Sequence, residues 1–558
     1  MKRKIIFVSI IIALIGLVFY LTMIHRKSID TILINSVLHT LTGAHFDDDA
    51  IAISDGIIID IGKSSDLLEK YSPKKIIDLQ GANVYPGFID SHAHMYGLGM
   101  LLSSINLSGL KSSEEIVKLV AEEVKKQKPG EWIYGRGWDQ TLWQNKEFPY
   151  KNLLDSVSPN NPVILGRIDG HAIWVNQRAL ELAAIDKNTP DPEGGKIIRD
   201  NNGNPTGVLI DKATELIEKI IPPPTDAEIE NYLIKAIDEC VKYGITEVHD
   251  MGLDKQLIRV YEKLIKDKKL LIRIYGAIDA PGEDWEEVAQ NPKQVDFPGD
   301  MLKVKAVKMY ADGALGSRGA ALIEEYSDDP GNRGLTLLSD SIMEGVAQSA
   351  INNGFQICVH AIGDRANHIV LNLFEKIIAR YGESDYRFRI EHAQVIAPED
   401  IPRFAKLRVI PSMQPVHCVS DMDWAEERLG KIRIKGAYAW RSLLDNGSII
   451  AAGSDSPNDI LDPIVGFYSA ITRSDPSKSD IKSWYPEQCM NREEALRAYT
   501  IWAAYSAFRE KKKGTIEIGK YADFTILSKN ILEIPENEIL STEVLFTIVD
   551  GRVVYNKN

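Results

Sequence analysis

Cysteine is scarce and scattered: Cys240, Cys358, Cys418 and Cys489 are the only four in 558 residues, and no CxxC occurs. That spacing excludes a zinc knuckle and a disulfide framework and leaves buried thiols. No cysteine precedes Cys240, so a lipid-bearing cysteine near the N-terminus is excluded as well. The body of the chain also lacks a Lys/Arg cluster, and the formal charge is -14. Nothing offers the cationic face that phosphate backbones require, which excludes nucleic acid as a partner. Low-complexity tracts and solenoid repeats are absent too. With 44% hydrophobic and 26% charged residues the composition is that of a globular protein. The length implies roughly two to four domains, or one large barrel with additions.

Only one long hydrophobic run exists, and it comes first. Lys2, Arg3 and Lys4 precede an apolar stretch from Ile5 to Ile24, which His25, Arg26 and Lys27 follow. About 20 apolar residues suffice to cross a bilayer. The following "YLTMIHRKS" offers no small-residue cleavage site, so residues 1–28 are expected to form an uncleaved transmembrane helix. The basic residues before the run outweigh those after it, which predicts a cytoplasmic N-terminus and an extracytoplasmic body.

Beyond the anchor, "TILINSVLHT", "AIAISDGIIIDIG" and "KKIIDLQGANVY" alternate apolar and polar residues like hairpin strands, and "GTIEIGKYADFTILS" and "EVLFTIVDGRVVYN" do the same at the other end. These two regions, 29–84 and 510–558, are expected to form one small β-sandwich. Between them, over 85–509, eight apolar runs alternate with helical periodicity. They end in or contain "FIDSHAH", "ITEVHD", "LIRIYGAI", "VKAVKMY", "FQICVH", "RFRIEH", "RVIPSMQ" and "SIIAAGSD". The expected fold is α/β: a (β/α)8 TIM barrel. The connection after the first strand is too long for a loop and carries its own motifs, so an inserted subdomain is expected over about 110–215.

In "PGFIDSHAHMYG", His92 and His94 share one face of a strand because successive side chains alternate. Two neighbouring imidazoles suit one metal ion. Lys308, His360, His392 and Asp455 also fall at or near the ends of predicted strands, where the loops of such a barrel converge. Each alone has an ordinary explanation: a core histidine, a turn-capping aspartate, a snorkelling lysine. Their joint placement favours a metal site.

The motifs "PGFIDSHAH", "VKMYADGALGSRGA", "VHAIGDRANH", "RIEHAQ", "AGSDSP" and "GTIEIGKYADFTIL" occur in one order along the chain. This sequence resembles the metal-dependent amidohydrolase superfamily, in the branch similar to N-substituted formamide deformylases. The resemblance implies two divalent ions, zinc foremost. His92 and His94 would bind one ion, with Asp455 completing its shell, and His360 and His392 would bind the other. Lys308 would bridge them as a CO2-derived carbamate, and Asp455 and Lys308 would be catalytic. The implied reaction is hydrolysis of a non-peptide, amide-type C–N bond in a small molecule.

Trp138, Asp139, His171 and Trp174 in the insertion, with Gln414 and His417 after the seventh strand, are candidates for substrate binding. His249 is expected to be structural or to support a ligand, and Cys358 to pack. Alternatives stay open: a mononuclear deaminase or ester/lactone hydrolase of the same superfamily, or a non-catalytic anchored binding protein. A homodimer is left open as well.

Overall fold

The computed structural model describes residues 26–557 apart from 44–46, 296, 298, 479 and 481. The expected membrane span at 5–24 lies outside the described residues. Among those described, no helix is long and apolar enough to cross a membrane. The chain forms two compact units, one comprising residues up to Met95 together with Ile237–Asn558, the other Tyr96–Ala236.

The first unit is built around eight parallel strands, which we label β1 (Phe88–Ala93), β2 (Ile245–Leu253), β3 (Arg273–Asp279), β4 (Leu302–Tyr310), β5 (Gln356–Ala361), β6 (Arg389–His392), β7 (Ile410–Met413) and β8 (Ala451–Ala452). Each pairs with the next in chain order, and β1 pairs with β2. All eight expected strands are present. They read as near-continuous apolar runs because strands covered by helices are buried on both faces. The helix Asp364–Tyr381 shows the covering pattern: Val370, Leu371, Phe374 and Ile377 are buried at spacings of three and four, and the helix ends at Gly382.

β8 has shrunk to two residues, and backbone bonds beyond it close the ring. Asp455 N donates to His92 O at 2.7 Å, and His94 N donates to Ser456 O at 2.8 Å. Gly453 makes this approach feasible, since a Cβ there would meet His92 N at 2.5 Å.

Two further sheets belong to the same unit. A four-stranded sheet takes Lys27–Ile34, Ala50–Ser54, Ile57–Gly62 and Tyr71–Asp78, all from the N-terminal region. A five-stranded sheet joins Val37–Leu38 and Asn83–Pro86 to Phe524–Leu527, Val544–Val549 and Arg552–Asn556. Leu33, Ile51 and Ile58 from the first share a core with Val84, Phe524, Ile526 and Ile548 from the second, so both chain ends contribute to one sandwich. The "GTIEIG" stretch expected to be a strand is not one; after a single bridge between Tyr521 and Ile57 the strand begins at Phe524.

The second unit holds a six-stranded sheet whose edge hairpin pairs Gly195–Arg199 with Pro205–Asp211, drawn from "GGKIIRDNNGNPTGVLID". It extends beyond residues 110–215 on both sides. Cys240, Cys358 and Cys418 are buried thiols, Cys489 is half-buried, and none forms a disulfide.

Candidate metal centre

The barrel brings the strand-end residues together. His92 is fully buried on β1, and its Nε2 lies 3.3 Å from Asp455 Oδ1. His94 follows the strand and places Nε2 3.1 Å from the same oxygen. The His392 ring, at the end of β6, lies 4.7 Å from that of His92 and 4.6 Å from that of His360 on β5, between centroids. Lys308, 1% exposed on β4, sets Nζ 3.4 Å from His92 Nε2. His392 and Asp455 have φ of 73° and 60°, in the left-handed region that non-glycine residues rarely enter. Such strain, of order 1–3 kcal/mol each, persists where surrounding structure imposes it, as at functional sites.

The electrostatics favour neutral imidazoles beside an ionised carboxylate. Burial, with Lys308 and His92 nearby, pushes His360 down to about 3. Burial likewise lowers His92, aided by Lys308, and His392, aided by His360 and His92. Burial alone would raise Asp455, but the adjacent His92 and His94 outweigh it and hold the carboxyl well below its usual range. Burial also lowers Lys308, moving it toward the neutral amine despite Glu391 and Asp455. His360 Nε2 and Asp455 Oδ1 are buried without a hydrogen bond from the protein, an expense that cation ligation relieves. Among the described residues, His92, His94 and Asp455 form one group, and His392, His417 and Asp455 another, with ligand atoms within 4.8 Å of one another. Imidazole and carboxylate donors suit a divalent transition metal.

Residues 75–555 match the amidohydrolase family. The chain belongs to that family. It is 36% identical over 518 residues to the putative amidohydrolase YtcJ of Bacillus subtilis, covering 91% of this chain and 96% of that one. It is 26% identical over 550 residues to the N-substituted formamide deformylase of Arthrobacter pascens, covering 95% and 98%. Among solved structures, an uncharacterized metal-dependent hydrolase from Pyrococcus furiosus matches with a TM-score of 0.75 at 29% identity, over 90% of this chain and 100% of that one. The parallel barrel and the candidate His/Asp metal site are those of a hydrolase of this superfamily.

In this amidohydrolase, buried partners that sequence reasoning missed hold the candidate ligands. His92 Nδ1 lies 2.7 Å from Glu391 Oε2, so the ring donates there and turns Nε2 toward the cluster. Arg389 reaches Glu391 Oε2 at 3.0 Å, Ser91 O at 2.6 Å and His249 Nδ1 at 3.0 Å. His249, lowered to about 4 by burial, is thus neutral and supports Arg389. Asp90 accepts from His92 N and Ser454 N, both at 3.0 Å, clamping the first strand to the last. Asp312, in the "ADGALG" motif, accepts backbone bonds from Ile362 and Gly363 and lies 3.5 Å from His360 Nε2. The available signal was the alternation in "RIEH", which places Arg389 and Glu391 on one strand face.

The substrate candidates divide. Trp138 and Trp174 are fully buried in the core of the inserted unit, and Trp138 Nε1 donates to Leu165 O at 2.7 Å. Both rings therefore pack rather than present a pocket surface, a correction that follows from the insertion needing its own core. Asp139 caps the turn at 140–142 by accepting from Thr141 N at 2.9 Å. His171 is exposed, with its ring against Asp211 at 2.9 Å. Gln414 is buried and engages His392 Nδ1 at 2.8 Å, and His417 Nε2 lies 3.5 Å from Asp455 Oδ2. Cys358 is buried on β5, as expected of a packing thiol.

Proposed function

We propose that this amidohydrolase hydrolyses an amide-type C–N bond of a small molecule, using two divalent ions, zinc foremost. The observation carrying this reading is the gathering of His92, His94 and His392 around Asp455, with the His360 ring beside that of His392 and buried ligand atoms left unpaired by the protein. The likeness to a relative named N-substituted formamide deformylase supports the bond class. When bound, the ions supply a water of lowered pKa and a Lewis acid for the carbonyl.

The chain's own residues do the rest. The imidazoles, neutral because burial lowers them, offer lone pairs as ligands. The Asp455 carboxylate accepts the proton of the attacking water at an oxygen and passes it to the departing nitrogen. Its depressed pKa makes it a poor keeper of that proton, which favours the second transfer. Lys308, pressed toward its neutral form, is suited to take up CO2 as a carbamate with two anionic oxygens. The anchor expected over residues 5–24 belongs to the same reading, and membrane fractionation of the full chain against one starting at Ser28 tests it.

The test of function is turnover of a panel of N-formyl and N-acyl amines by ion-loaded protein, followed as release of free amine. Asp455→Ala should lose turnover with an unchanged circular dichroism spectrum. Full turnover by a metal-stripped Asp455→Ala preparation overturns the proposal. One ion per chain, with Lys308→Ala still active, would transfer the protein to the mononuclear deaminase or ester/lactone class.

A further inference from the structure

His417 is not among the ligands implied by the family resemblance, yet its ring faces the cluster. The local sequence explains how. β7 ends at Met413, Gln414 stands at the residue before the helix Pro415–Asp421 without a side-chain capping bond, and Pro415 fixes the first helical position. His417 N donates to Gln414 O at 3.1 Å, so the imidazole is held by the first helical turn.

Three contacts define its surroundings. The two oxygens of Asp455 serve different partners: Oδ1 faces His92 and His94 at 3.3 and 3.1 Å, and Oδ2 faces His417 at 3.5 Å. Oδ2 also accepts from Asn458 Nδ2 at 3.2 Å, which leaves one of its two lone pairs. His392 donates its Nδ1 proton to Gln414 Oε1, leaving the Nε2 lone pair for a cation. The His392 and His417 rings are nearly parallel, at 14°, with centroids 5.9 Å apart. The ligand atoms of His392, His417 and Asp455 all lie within 4.8 Å of one another. A carboxylate turning one oxygen to each of two imidazole sets is suited to serving two cations in a two-metal site.

We propose that His417 is a metal ligand, binding with His392 an ion that Asp455 shares through Oδ2, so that Asp455 bridges two ions. This rests on the metal-hydrolase reading above and deepens it. Lys308 is then an additional bridge, and its carboxylation is not required for the second ion to bind. Gln414, whose amide donates to Ser412 O at 3.3 Å, then fixes the tautomer of His392 through its Oε1.

The test counts ions. Metal-stripped wild type, His94→Ala and His417→Ala are titrated with Zn2+ against a chromogenic chelator, and folding is checked by circular dichroism. Wild type should take up two ions per chain, and each variant one. In His417→Ala the affinity of the lost position should fall by more than about 100-fold, beyond the 10–100-fold that loss of an outer partner costs. Should His417→Ala fail to fold, His417→Gln, which keeps a polar side chain, is read in its place. Two ions at wild-type affinity in the His417 variant, with one lost in His94→Ala, overturn the proposal and leave the metal-hydrolase reading standing. One ion in wild type also overturns it. No uptake by wild type overturns the underlying reading instead.

Discussion

Two buried polar clusters lie inside one barrel, and they differ in how their groups are matched. Toward the strand beginnings, Glu247 meets Lys513 at 2.6 Å and Arg509 at 3.5 Å, while Asp523 meets Arg273 at 2.7 Å and Lys513 at 3.6 Å. Every carboxylate there faces a cation of the chain. Toward the strand ends, His92, His94 and His417 all face the carboxylate of Asp455, and His360 Nε2 and Asp455 Oδ1 find no hydrogen bond. Burial of charge alone does not mark a functional site, since both clusters are buried. In the first, each carboxylate is matched by cations of the chain, and the pairs tie the C-terminal segment to the barrel. The second has donors suited to groups from outside the chain.

The sharpest way to break this comparison is at Asp455. Asp455→Ala should reduce turnover of the best amide by about 10³-fold or more, the range for a lost general acid–base, with the fold intact by circular dichroism. An equal loss of stability would erase the distinction. The opposite cluster should answer in the opposite currency. Glu247→Ala leaves Lys513 facing Asp523 alone, and breaking a buried pair should cost about 3–5 kcal/mol in urea unfolding. Ion content of the folded fraction should stay at the wild-type value.

Between the clusters stands Glu391, which Arg389 and His249 connect toward Glu247. Glu391→Gln should weaken zinc binding about 10–100-fold, as measured by chelator competition, because His92 loses its charged acceptor. The smallest effect concerns Lys308. CO2 reacts with the neutral amine, present above the amine's pKa, so reactivation of stripped protein by zinc and bicarbonate should quicken as pH rises. Because burial lowers Lys308, the rate should level off below pH 10.5, the ordinary lysine value. A rate still climbing past that pH would mean the amine is not so depressed.

The barrel was readable because each strand is a short apolar run between helical segments, and β1 to β6 end near the expected residues. The ligand candidates were readable for the same reason: His92, His360, His392 and Asp455 close strands or follow them directly. His417 was visible only as a residue facing the site, since it sits beyond its strand on a helical turn whose direction no periodicity reports. The Glu247–Lys513 pair joins residues 266 positions apart, so no local pattern signals it. Glu391 and Arg389 carried no reading of their own in the sequence, and only barrel closure shows what they hold. Trp138 and Trp174 resembled pocket residues by motif, whereas the insertion uses them to make a core of its own.

Ser454 N reaches Asp90 Oδ1 across 364 positions of chain, beside the backbone bonds that bring Asp455 to His92. During translation, therefore, His92 and His94 leave the ribosome long before their carboxylate partner exists. The candidate cation pocket is completed only once the chain has been made through Asp455, and a fragment that stops before that residue has the two imidazoles without their carboxylate.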